Sequence, residues 1–268
     1  MIGVFDSGFG GLTVLKEFLD KLPQYDYIYL GDNARAPYGN KSEEVIYEYT
    51  KEAVDFLFKE GCELIIIACN TASAKALRKI QQEFLPLSYR EKKVLGVIIP
   101  VVEAAVELNN VERIGLIGTR ATIESKTYEK ELNGFKKDIT IYSQSCPLLV
   151  PLIEEGWLKR AETKKILKKY LRPLKEKKID VLILGCTHYP VLTKEIKQIM
   201  GRRIEVLNAP GIVADKLANY LYRHPEIERK LSKNGKRLFY TTDSIERFKE
   251  MGKRFLGEDI GEVKRGEL

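Results

Sequence analysis

Along the chain, short runs of apolar, largely β-branched residues alternate with longer stretches in which apolar positions recur every three or four residues. The runs are IGVF (2–5), YIYL (27–30), LIII (64–67), VLGVI (94–98), IGLI (114–117), ITIY (139–142), VLIL (181–184) and IEVL (204–207). They are apolar throughout rather than alternating with polar residues, which predicts parallel strands covered by helices on both faces. Helical spacing predicts helices over 12–22, 42–61, 71–84 and 190–200, with Gly61 as a stop signal. The rhythm is that of an α/β fold, and no long polar linker interrupts it.

Two of these runs repeat. IGVFDSG at 2–8 resembles IGLIGTR at 114–120, and LIIIACNT at 64–71 resembles VLILGCTH at 181–188. The two displacements are nearly equal and the order is the same, so the chain is expected to hold two similar α/β units with mainly parallel sheets, related by a pseudo-twofold axis. Each unit presents a cysteine, Cys69 or Cys186, just past the carboxyl end of a strand. That is where open α/β sheets gather their ligands, so the site is expected between the units.

The length of 268 residues allows one large domain or two of ordinary size, and 44% hydrophobic with 31% charged residues is the balance of a globular protein. No apolar run approaches the roughly 20 residues of a membrane helix, and the start, MIGVFDSGFGG, lacks a secretory pattern. A cytoplasmic protein without a membrane partner is expected. The four cysteines, Cys62, Cys69, Cys146 and Cys186, form no C-x-x-C pair, and the two histidines, His188 and His224, lie far apart. Free thiols are expected, and no metal.

The net charge of +7 raises the question of nucleic acid. The segment KKILKKYLRPLKEKK at 164–178 carries eight basic residues against one acid and so accounts for the whole surplus. Ile166, Leu167, Tyr170, Leu171 and Leu174 recur there at helical spacing, which reads as an amphipathic helix with a solvated lysine face. Nucleic acid is accordingly not expected as a partner.

Cysteines at strand-to-helix turns meet helix N-termini, whose free N–H groups favour a thiolate, and a lowered thiol pKa is expected for both. Pro190 near the start of the second helix fits that geometry. Two thiols facing one ligand from opposite sides suit inversion of a carbon stereocentre, because each must be base in one direction and acid in the other. DSGFGG at 6–11 lacks the lysine of a phosphate loop and the third glycine of a dinucleotide fingerprint, so nucleotide binding is disfavoured. Its glycines allow a sharp turn that leaves Asp6 and Ser7 at the strand tip. Asp6 beside Cys69 and His188 beside Cys186 could each tune or accept a thiol proton. The polar loop GDNARAPYGNKS at 31–42 is suited to close over a ligand, and Glu154 or Glu155 of CPLLVPLIEEGW at 146–157 could face the crevice and bind a cation.

These motifs, IGVFDSGFGGLTVL, YLGDNARAPYG, ACNTAS, GLIGTRAT, CPLLVPLIEEG, LGCTHYP and FYTTDSIERF, span nearly the whole chain in order, and the sequence resembles the glutamate racemases, cofactor-independent enzymes that make D-glutamate for the bacterial cell wall. The resemblance implies that Cys186 deprotonates L-glutamate and Cys69 deprotonates D-glutamate, with Asp6, Glu154 and His188 assisting. It implies substrate contacts from Asp6, Ser7, Tyr38, Gly39, Asn70, Thr71, Thr187 and His188, with Thr119 and Thr122 as lesser candidates. No cofactor is expected, the small-molecule partner is glutamate, and the assembly is expected to be a homodimer. The implied domains are 1–96 with 208–268, and 97–207. GVIIPVV at 96–102 departs from the family, many of whose members have an acid and a glycine around that proline. Competing readings are an aspartate or hydantoin racemase, a DNA-associated regulator using the lysine face, and a binding module without catalysis. His188 after Cys186-Thr187 favours glutamate, since aspartate racemases typically carry Thr-Glu there.

Overall fold

The computed structural model describes residues 1–135 and 138–268. Its strands are β1 (Ile2–Asp6), β2 (Tyr27–Gly31), β3 (Leu64–Ile67), β4 (Lys93–Gly96), β5 (Arg113–Gly118), β6 (Thr140–Ser145), β7 (Val181–Gly185), β8 (Glu205–Val206), β9 (Arg237–Thr241) and β10 (Val263–Arg265). They build two sheets, of order β10-β9-β2-β1-β3-β4 and β6-β5-β7-β8, in which every pairing is parallel. The inner order β2-β1-β3-β4 is that of the second sheet.

The register agrees as well. Ile2 pairs with Leu64 as Ile114 pairs with Val181, and Phe5 pairs with Ile67 as Ile117 pairs with Leu184. The displacements read in the sequence therefore superpose paired residues on paired residues.

Both faces of the first sheet are covered, which is why its strands read as continuous apolar runs. Phe5, Ile65 and Ile67 face one helix layer, while Val4, Leu64 and Ile66 face a core that continues into Leu116, Ile183 and Leu184 of the second sheet. That shared core joins the units. The chain passes between sheets twice, through the helices Ile98–Glu107 and Ala209–Arg223, and Lys216 of the latter pairs with Glu103 and Glu107 of the former at 3.0 Å.

Several boundaries differ from expectation. The run 94–98 divides into β4 and the start of the helix Ile98–Glu107, and 204–207 shortens to the two residues of β8. β9 and β10 carry no comparable apolar signal. The helix expected over 71–84 breaks at Ala76 and passes through a π-turn at Ile80–Phe84 before Leu85–Ser88. Pro86 offers no N–H and its ring crowds the preceding turn, which fits a new helical segment starting at Leu85 with this proline in its first turn. The basic segment forms the helix Ala161–Glu176, which buries Leu167, Leu171 and Leu174 and exposes Lys164, Lys165, Lys168 and Lys169. No helix among the described residues is long and apolar enough to cross a membrane.

Candidate active site

The carboxyl ends of the two sheets face each other, and the repeated turns meet there. Cys69 follows β3 by two residues and caps the helix Asn70–Lys75, accepting the Ala72 N–H on Sγ at 3.5 Å. Its thiol donates to Ser7 Oγ at 3.4 Å. Cys186 directly follows β7, and its Sγ lies 3.9 Å from His188 Nδ1. The other ring nitrogen of His188, Nε2, is 2.9 Å from Glu154 Oε1. Glu154, His188 and Cys186 thus form a line, and the alternative Glu155 is an exposed residue at the cavity mouth.

Asp6 closes β1 with no exposed surface, taking the Gly8 N–H on Oδ2 at 2.9 Å and the Thr187 hydroxyl on Oδ1 at 3.2 Å. Burial outweighs these bonds and the nearby His188, and holds its carboxyl pKa above the ordinary value. The turn glycines serve a different end from the one expected. Neither Gly10 nor Gly11 has a positive φ. Instead, a Cβ on Gly10 would stand 2.3 Å from Thr187 Oγ1 and 2.4 Å from His188 Nδ1, so this glycine permits the two units to touch.

Burial also reverses the expected thiol chemistry. Cys69 is pushed up to about 11 by burial and then by the Asp6 charge, against the Ser7 hydroxyl and the Ala72 N–H. Cys186 is raised well above the ordinary thiol value, first by burial and then by Cys69, Asp6 and Glu154, against the His188 backbone N–H. The helix N-termini act in the direction expected and lose to desolvation.

The remaining expected residues gather around them. Thr71 Oγ1 lies 2.8 Å from Thr119 Oγ1 and 3.1 Å from Thr122 Oγ1, joining the units by hydroxyls. Asn70 Oδ1 accepts from Tyr128 at 2.6 Å, and Thr187 O accepts from Thr13 at 3.0 Å. Tyr128 and Thr13 escaped sequence reasoning because each contributes one atom from a helix of ordinary amphipathic pattern. Gly39 packs on Thr119, where a Cβ would come within 2.8 Å of the threonine Cβ. Tyr38 is buried and donates its hydroxyl to Asp32 Oδ2 at 2.5 Å, which leaves its backbone as what it can offer a ligand.

A cavity of about 290 Å³ leads in between Asn33, Pro37 and Gly39 on one side and Thr119, Cys146, Glu154 and Glu155 on the other. Cys186, Asn70 and Thr187 border a crevice of about 10 Å³. Cys62 and Cys146 are free and buried and lie outside the pair. Among the described residues no group of three or more His, Cys, Asp or Glu could hold a metal ion.

Residues 12–215 match the family described as Asp/Glu/Hydantoin racemase. Over 263 residues the chain is 40% identical to the glutamate racemase of Geobacter metallireducens, covering 98% of this chain and 94% of that one. Among solved structures, the glutamate racemase of Bacillus anthracis superposes with a TM-score of 0.91 at 37% identity, covering 100% and 97% of the two chains. That of Francisella tularensis, solved in complex with D-glutamate, gives 0.88 at 35% identity and covers 99% and 97%.

Proposed function

The chain belongs to the Asp/Glu/Hydantoin racemase family, and on that premise we propose that it is a glutamate racemase, interconverting L- and D-glutamate by proton transfer between two thiols. The observation that carries this reading is the register equivalence of β1–β3 with β5–β7, which puts Cys69 and Cys186 at the same place in two facing copies of one turn. Similar acids on opposite faces are what a reversible inversion needs.

In the L to D direction the Cys186 thiolate takes the Cα proton, the bonding pair stays on carbon, and the Cys69 thiol delivers its proton to the opposite face. The product leaves Cys186 as thiol and Cys69 as thiolate, so the roles are exchanged and the reverse reaction starts from that state. Burial holds both thiol pKa values up and so favours the protonated forms. An α-ammonium arriving with the substrate favours the thiolate beside it, and the proton that Cys186 gives up passes to His188, whose Nδ1 lies 3.9 Å from Sγ. His188 and Glu154 serve Cys186, and Asp6 serves Cys69. Ser7, Asn70, Thr71, Thr187 and the backbone at Tyr38 and Gly39 bind the carboxylates.

The two domains are 1–96 with 208–268, and 97–207, and the substrate binds between them. D-glutamate made this way feeds peptidoglycan synthesis in the cytoplasm. Chiral chromatography of purified protein with L-glutamate in deuterated water, without added cofactor, tests the reading. D-glutamate carrying deuterium at Cα is the expected product. Absence of turnover, or inversion without incorporation, overturns it.

A further inference from the structure

The helix Ile245–Leu256 belongs to the first unit, between β9 and β10, yet two of its consecutive residues touch the Glu154–His188 pair of the second. Arg254 Nη1 donates to the Glu154 carbonyl at 2.9 Å. Glu154 ends the helix Leu149–Glu154, so this carbonyl is one that a helix leaves without an internal donor, at its negative end, where a cation is favoured. Glu250, one turn earlier on the same helix, holds the other guanidinium nitrogen at 3.3 Å. Gly156, with φ +73°, lies flat against the group: a Cβ there would stand 3.2 Å from Arg254 Nη1.

Phe255, the next residue, is buried and meets the His188 ring edge-on, with centroids 5.5 Å apart and planes at 87°. An edge-to-face contact prefers one ring orientation. The supporting helix is itself fixed, since Phe248 packs on Phe9 at 5.8 Å and on Tyr29 at 5.9 Å.

We propose that Arg254 and Phe255 are positioning residues, which hold the Glu154 backbone and the His188 ring so that Nδ1 stays directed at Cys186. The proposal rests on the two-thiol reading above. It assigns the helix Ile245–Leu256 to the Cys186 half of the reaction and leaves the Cys69 half untouched.

The test measures racemisation in both directions by Arg254→Ala, Arg254→Lys and Phe255→Leu, with substrates carrying hydrogen or deuterium at Cα. The equilibrium constant between enantiomers is unity, so kcat/KM must fall equally in the two directions, by about 10-fold for Arg254→Ala if the pair is misplaced by a fraction of an ångström. The isotope effects separate the halves. Slowing the Cys186 step raises the isotope effect on kcat/KM from L-glutamate and lowers it from D-glutamate. Arg254→Lys, which keeps a donor, recovers most of the rate and the wild-type isotope pattern. Wild-type isotope effects in a slowed Arg254→Ala or Phe255→Leu, the opposite asymmetry, or full activity in both variants overturns the proposal. Wild-type protein that does not racemise glutamate overturns the underlying reading instead.

Discussion

Thr187 donates its hydroxyl to Asp6 across 3.2 Å, tying the turn after β7 in one sheet to the end of β1 in the other. Even with that bond, burial keeps the Asp6 carboxyl above its usual 3.8. A raised carboxyl pKa means that the folded state keeps a proton which the unfolded chain releases, so stability falls as pH rises from near 4 through the folded value. Asp6→Asn is expected to flatten the stability curve in that window and to leave Tm at neutral pH unchanged or higher. Its kcat/KM is expected to fall at least about 10-fold. Thermal unfolding followed from about pH 3 to 8 checks the sign. A marked drop in Tm at neutral pH would show that the carboxylate's bonds outweigh its burial.

Cys69→Ser and Cys186→Ser are each expected to lower racemisation by about 100- to 10,000-fold, the range attributable to a positioned acid or base. Both should fold, because the exchange is small. Activity and Tm of each variant check this, and wild-type rate in either removes that cysteine from the reaction.

The raised thiols also set the alkaline limit. Cys69 ionises near 11 in the folded protein against 9.0 for an ordinary thiol. Above about pH 9 the unfolded chain gives up the proton first, so stability is held below that pH and lost as pH climbs through 11. Urea unfolding from pH 7 upward should show a plateau and then a fall, with a shallower fall in Cys69→Ser. An identical slope in the variant would mean that folding leaves the Cys69 pKa unshifted.

Lys165, Lys168 and Lys169 are exposed on the helix Ala161–Glu176, away from the thiols. Replacing all three with Gln is expected to leave kcat/KM and Tm unchanged. The wild-type protein should show no tight, steeply salt-dependent binding to duplex DNA at physiological salt. Salt titrations of wild type and variant decide the matter, and binding lost on replacement would make this face an interface.

Donors fixed on two facing turns suit one spacing of carboxylates. Glutamate is expected to exceed aspartate by about 100-fold or more in kcat/KM, because a shorter ligand leaves buried donors unpaired. Glutamine, neutral at its end, should fail too. Comparable turnover of L-aspartate moves the assignment to the aspartate racemase relatives and leaves the two thiols in place.

Strands of the inner core were legible because each is covered on both sides, as Leu64 and Ile66 are by one layer and Ile65 and Ile67 by the other. β9 escaped notice since Arg237 is exposed and Leu238 only half-buried. β10 is three residues at the sheet edge, two of them exposed, and an edge needs no continuous apolar run. The cysteine pair could be read because its displacement repeats that of a second motif. Tyr128, Arg254 and Phe255 could not, since a residue that acts through one contact with a distant element leaves no local pattern. The thiol pKa values were misjudged for a related reason: a helix N-terminus is visible in a sequence, while the depth at which it is buried is not.

The first sheet depends on strands made last. β2 is buried along its whole length, with β1 on one edge and β9 on the other, and Tyr27 meets Arg237 only after the entire second sheet has been spelled out. During synthesis the four strands of that second sheet follow one another without interruption and can close, while β2 still offers a bare edge open to unwanted pairing. The segment that seals this edge also brings the helix Ile245–Leu256 against Glu154 and His188. Completion of the sheet and the docking of Arg254 and Phe255 on Glu154 and His188 are therefore one event, and a nascent chain lacks those two contacts before it occurs.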